Sequence, residues 1–302
     1  MEEEKIYDAT DETVQSGYVQ EIKDRSYINC MVTAYHNVVD NFRSLFEQLW
    51  KYALFYAIIF GVTMAVNYTL LSVNTPLNTL FNLLTAAVTV VAGIIYTGKI
   101  FELLNGHDVK YNSKKLLIIG VTVYAIVMAV CMVITMGAVF LAIGTRNPQT
   151  IYLAMGGAFL LSIILLIVWG IPFCYSMTKY MMDDSTHLAH VLGRDWKKGF
   201  KHFGFLFAAL FVMSIIIGVI SVLLYSPLIV IVVACLESHV GASAGDPLNM
   251  PTSLFLPISL LAAASMFVNC LLMIWQTFTY YYLYGTIETR DYEKNEAENL
   301  VH

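Results

Sequence analysis

The chain has 302 residues, of which 58% are hydrophobic, 13% aromatic and 13% charged. A water-soluble domain carries about 45–50% apolar and about 25% charged residues, so a soluble enzyme, a disordered chain and a disulfide-rich module all fit poorly and a polytopic membrane protein fits well. The net charge of −5 is uneven: residues 1–24 carry −6, residues 286–302 carry −3, and the body between them carries +4, with no global basic patch for nucleic acid.

The N-terminus, MEEEKIYDATDE, lacks the basic and apolar regions of a signal peptide. Residues 1–25 are expected to form an acidic, disordered tail. Across residues 26–50 an apolar stripe recurs at Ile28, Val32, Tyr35, Val39, Phe42, Phe46 and Leu49, opposite Thr33, Asn37, Asp40, Asn41, Ser44, Glu47 and Gln48. That spacing predicts an amphipathic helix. Its polar face has few Lys or Arg, unlike a free lipid-surface binder, so packing against the protein's own inner face is expected.

A bilayer is crossed by about 20 apolar residues. Charge-free runs predict six such helices, at 52–72, 77–98, 116–145, 147–178, 204–235 and 254–284. Ser72-Val-Asn-Thr-Pro76 separates the first two as a turn. Pro172 and Pro227 are expected to kink or break helices four and five. Between helices four and five, a short amphipathic stretch runs from Asp183 to Gly193; Gly193 can end it and Asp195 can cap the next helix. The predicted organisation is a six-helix transmembrane domain over residues 51–285 and an acidic tail over 286–302.

With a cytoplasmic N-terminus, the inner segments hold 16 of the 17 basic residues, and only Arg146 lies outside. By the positive-inside rule both termini are cytoplasmic. The six helices then read as three hairpins in the same orientation, each entered through a basic lead-in (Phe42–Lys51, Lys110–Lys115, Arg194–Phe203) and left through an aromatic stretch. The expected fold is therefore all-α, with parallel-repeat hairpins rather than the inverted pairs of many transporters.

Candidate chemistry is sparse. Cys30, Cys131, Cys174, Cys235 and Cys270 form no C-x-x-C pair, and buried thiols are expected. Asp183, His187 and His190 share one face if the segment is helical, and Zn²⁺ accepts such ligands, but a solvated acidic cap is the plainer reading of this short cluster. No ionisable residue lies at bilayer depth, which argues against proton relays and intramembrane proteolysis. Neutral polar residues inside the spans include Asn67, Asn82, Asn269 and Gln276. Interhelical hydrogen bonding is their ordinary role; a shared path for a neutral or lipid-like compound is the functional alternative. Gly156-Gly157 and Ala262-Ala-Ala-Ser265 are expected at close helix contacts. Nucleotide-binding glycine motifs are absent, no residue pattern requires a cofactor, and no catalytic constellation is evident.

The three hairpins, the Leu49-Trp50-Lys51 entry and the exit through Tyr284-Gly-Thr-Ile-Glu-Thr-Arg290 resemble a bacterial group of six-helix proteins similar to the membrane domain of glycerophosphodiester phosphodiesterases. The resemblance spans most of residues 40–292, with short motifs and no phosphodiesterase domain. It implies an integral inner-membrane accessory protein and supplies no reaction. The expected partners are the lipid bilayer and either another protein or a second copy of the chain, acting in envelope maintenance or assembly.

Overall fold

A computed structural model describes residues 23–70, 76–143, 148–243 and 254–301. Among them the chain is entirely α-helical: α1 (Tyr27–Asp40), α2 (Phe42–Leu70), α3 (Pro76–Asn105), α4 (Val109–Ile143), α5 (Pro148–Met182), α6 (Leu188–Leu192), α7 (Arg194–Lys201), α8 (Phe203–Ser243) and α9 (Phe255–Val301). Six of these, α2, α3, α4, α5, α8 and α9, are long and apolar enough to cross a membrane. The chain is thus a multi-pass membrane protein by helix length and composition.

Local chemistry explains several boundaries. The Ser26 side chain accepts from the Asn29 amide at 3.3 Å and caps α1. Asn41 ends α1 by donating to the Asn37 carbonyl at 2.9 Å, so the predicted single helix over 26–50 is two helices meeting at Asn41. Pro76 and Pro148 occupy first helical positions, where a missing N–H costs nothing. Gly106, at φ +72°, turns the chain sharply out of α3, and its N–H closes on the Glu102 carbonyl. Neither internal proline ends its helix: α5 and α8 continue through Pro172 and Pro227. Pro227 leaves the Leu223 carbonyl without its helical donor, and the Ser226 hydroxyl takes that place at 2.9 Å.

Neighbours in sequence pack as antiparallel pairs, α2 with α3, α4 with α5, and α8 with α9; α9 lies most extensively against α2, and α1 is laid on α9. The α2–α9 crossing is close because Gly61 faces Ser259 and Ala263: a Cβ at position 61 would stand 2.4 Å from the Ser259 carbonyl oxygen. Ala65 and Ala262 are fully buried at the same seam, as expected for the alanine run. Gly156 and Gly157 differ from expectation: they are exposed, and a Cβ at either would meet nothing within 4 Å.

The main core lies at one end of the bundle. It is built from Leu45, Leu49, Tyr96, Ile100, Tyr175, Met181, Leu206, Phe278 and Tyr282, while among the described residues a small second cluster (Ala65, Leu228, Ile258, Ala262) serves the other end. Towards that other end, α4 and α5 expose Val133, Met136, Phe140, Tyr152, Leu153 and Phe159. In a membrane this is the lipid-facing surface.

Candidate functional site

Three polar clusters at the packed end each tie helices together.

The first joins α1 to α9. The buried Asn37 donates to the Tyr282 hydroxyl at 2.8 Å, and the Cys30 thiol sits 3.3 Å from the Thr286 hydroxyl. The Trp275 indole donates to the Met31 carbonyl at 3.1 Å. Arg290 donates to Asp24 at 2.6 Å and to the Arg25 carbonyl at 2.8 Å, with its guanidinium over the Phe205 ring. The face of α1 that packs is therefore Cys30, Met31, Ala34 and Asn37. Of the apolar stripe, Leu49 is buried and Phe46 packs against Phe267, but Ile28, Val32, Tyr35, Val39 and Phe42 stand outward, 44–55% exposed. Small residues and one amide let α1 approach α9 closely, and the stripe is left for an apolar surround.

A second cluster joins α5, α7 and α9. Glu288 accepts from the Tyr175 hydroxyl and from Lys198 at 2.9 Å, with Lys179 at 3.4 Å. Lys179 also faces the buried Asp195 at 3.5 Å. Asp291 takes Lys198 and His202, each at 3.1 Å, and Lys201 at 3.5 Å. Asp195, expected as a helix cap, is instead buried in the first turn of α7, and Gly193 stands at the cap. The docking of α7 depends on two contacts with the Pro172 turn of α5. Trp196 donates to the Trp169 carbonyl at 3.1 Å, and Gly199 lies against Pro172, where a Cβ would come within 2.5 Å of its carbonyl oxygen.

The third cluster closes the α3–α4 turn onto the end of α5. Asn105 and Asn112 exchange amide hydrogen bonds at 2.9 and 3.1 Å, and Asn105 also reaches the Met181 carbonyl at 2.9 Å. Lys115, buried, donates to the Tyr180 carbonyl at 3.1 Å and to Asp184 at 2.8 Å. Asp184 also accepts from Tyr111 at 3.0 Å and faces His107 at 2.8 Å. Burial alone would raise the Asp184 carboxyl, but the Lys115 and Tyr111 hydrogen bonds and the Lys115 and His107 charges outweigh it and hold it below the usual range.

The residues singled out from sequence fall in separate settings. Asp183 lies in the turn before α6, not on a helix with the histidines. Its carboxylate accepts from Ser185 and from the Thr186 hydroxyl at 2.9 Å. The His187 and His190 rings meet edge to face at 5.7 Å. Among the described residues, no three His, Cys, Asp or Glu side chains form a group that could hold a metal ion. Asn269 faces Ser221 of α8 at 3.2 Å, and Gln276 donates to the Tyr280 hydroxyl at 2.5 Å. Asn67 and Asn82 each keep a buried side-chain oxygen without a hydrogen-bond partner. Cys235 and Arg146 have side chains outside the described residues.

The Glu288 cluster was missed in the sequence, though it left a signal. Tyr284, Glu288 and Asp291 recur at i, i+4 and i+7, and so share one face of a helix continuing past the membrane. The segment from 286, expected as a tail, is that helix: α9 runs on to Val301, with Thr286 and Ile287 fully buried.

No protein-family model, no curated protein and no solved structure matches this chain.

Proposed function

We propose that this protein is a non-enzymatic integral protein of a bacterial inner membrane, with both termini cytoplasmic, that acts through lipid and protein contact in envelope maintenance or as an assembly partner. The observation that carries this reading is the sharing of two α9 carboxylates among the cations of α5 and the α7 segment. Glu288 is shared by Tyr175, Lys179 and Lys198, and Asp291 by Lys198, Lys201 and His202. Groups so engaged serve to hold α5, α7 and α9 in one arrangement. The positive-inside distribution supports a cytoplasmic assignment for this end, and the same-sense hairpins follow from that orientation.

The test is purification of the full chain in mild detergent, followed by lipid and protein mass spectrometry. A stoichiometric protein or a defined lipid class co-purifying is the expected result. Purification free of both, from cells where deletion leaves the envelope unchanged, removes the reading.

A second reading, a transporter for a neutral or lipid-like compound, draws on the unpartnered buried oxygens of Asn67 and Asn82. It predicts that Asn82→Leu abolishes uptake of such a compound into proteoliposomes. Uptake that never exceeds that of protein-free vesicles excludes it.

A further inference from the structure

Seven of the eight residues of α7 fall into three sectors, and the eighth, Lys198, reaches Glu288. Asp195 and Gly199 are buried against α5. Trp196 and Phe200 form a second sector, with stacked rings 5.4 Å apart. Arg194, Lys197 and Lys201, at i, i+3 and i+7, form a third, which is exposed. The acids near this helix lie on its protein side. Glu288 and Asp291 are taken up by Lys179, Lys198 and His202, whereas Arg194 and Lys201 reach Asp195 and Asp291 only at 3.6 and 3.5 Å while staying largely open to solvent. Lys197 is exposed, with no ion pair among the described residues. The exposed charged side chains of α7 are therefore all cationic, and they stand beside the exposed ring of Phe200.

An aromatic ladder begins beside these cations and descends the membrane-facing side of α8. Trp196, Phe200, Phe203, Phe207 and Phe211 follow one another with centroids 5.4–5.9 Å apart. Phe200, Phe207 and Phe211 are 41–55% exposed. Because α7 connects two spanning helices and rests on the Trp169–Pro172 turn, it lies at a membrane–water boundary, where a phosphate headgroup and an acyl chain meet these two surfaces in that order.

We propose that α7 and the start of α8 form a binding site for one anionic phospholipid, its phosphate held by Arg194, Lys197 and Lys201 and an acyl chain laid along Phe200, Phe207 and Phe211. Cations on a juxtamembrane amphipathic helix attract anionic headgroups, and exposed aromatic rings on the lipid side offer the chain an apolar track. The site rests on the reading of six membrane spans and specifies which lipid the protein holds.

The test is native mass spectrometry of the detergent-solubilised full chain, titrated with phosphatidylglycerol or with phosphatidylcholine. The expected result is a clear preference for phosphatidylglycerol in the first lipid bound, falling by about fivefold for each charge removed in Lys197→Gln and in Arg194→Gln/Lys197→Gln. The preference should survive in Arg194→Lys/Lys197→Arg and in Lys110→Gln/Lys114→Gln, which removes two exposed charges from the same end of the bundle. Because Lys197 is exposed and unpaired, its single variant carries the test if the double variant does not fold. Equal affinity for the two lipids, or an equal loss in the Lys110/Lys114 variant, overturns the site. Either of those results alongside a normal topology leaves the membrane assignment standing.

Discussion

Glu288 serves one hydroxyl on α5 and two ammonium groups on α5 and α7. Removing its charge leaves Lys179 and Lys198 with one acid fewer in a partly buried setting. The expected cost of Glu288→Gln is about 2–3 kcal/mol, at the lower edge for a broken buried pair because the site is part-exposed. Tyr175→Phe should cost about 1 kcal/mol, one hydrogen bond. Thermal unfolding in detergent measures both, and a double-mutant cycle of Glu288→Gln with Lys198→Met should show coupling rather than additivity. Additive losses would mean that the pair does not join α7 to α9.

Asp184 gives the pH dependence at the same scale. Its carboxyl is held low in the folded state, so its contribution is present above the unfolded carboxylate value of about 4 and is lost as pH falls through the lower folded value. Because the side chain is 48% exposed, the contribution is under about 1 kcal/mol. The unfolding midpoint of Asp184→Asn should lie below that of the natural chain near about pH 6, and the gap should narrow as pH falls below about 4. A gap that widens in acid contradicts this sign.

Between elements, two glycines set how closely helices meet. Gly61→Ala would drive a methyl group into the Ser259 carbonyl, and Gly199→Ala into that of Pro172. Each should destabilise by about 1–3 kcal/mol through overpacking, with Gly61→Ala separating α2 from α9 and Gly199→Ala loosening only α7. Crosslinking between cysteines placed on the paired helices distinguishes the two outcomes. Gly156→Ala, with open space around it, should be neutral within about 0.5 kcal/mol. The first span also begins earlier than its charge-free run suggests. α2 starts at Phe42, and its Arg43 and Glu47 pair at 3.1 Å with both side chains exposed.

For the whole molecule, orientation is the quantity to measure. Reporter fusions after residues 75, 147 and 245 should report the outside, and fusions after 108, 190 and 295 the inside. A single inverted loop breaks the three-hairpin arrangement. The resemblance to a phosphodiesterase-associated membrane family is accompanied by no family match, so the functional reading stands on the charge distribution and the packed-end network alone.

Six apolar helices were legible between residues 52 and 284 because a spanning helix is selected by local properties: length, absence of charge and satisfaction of its own backbone. Charge placement along the chain is equally local, and it yields the expected orientation without any contact being known. Which face of each helix packs was not legible. Lipid tails and a protein interior are alike in polarity, so the stripe of Ile28, Val32 and Tyr35 announced a helix and not its buried side. That side was chosen by Cys30, Ala34 and Asn37, small or hydrogen-bonding residues whose partners lie some 250 positions away on α9. The gathering of Glu288, Lys179, Lys198 and Asp291 was likewise a tertiary decision. Glu288 and Asp291 belong to a segment that alone reads as a tail, Lys198 to a lead-in and Lys179 to the end of a span, and only the return of α9 beside α5 and α7 makes them one network.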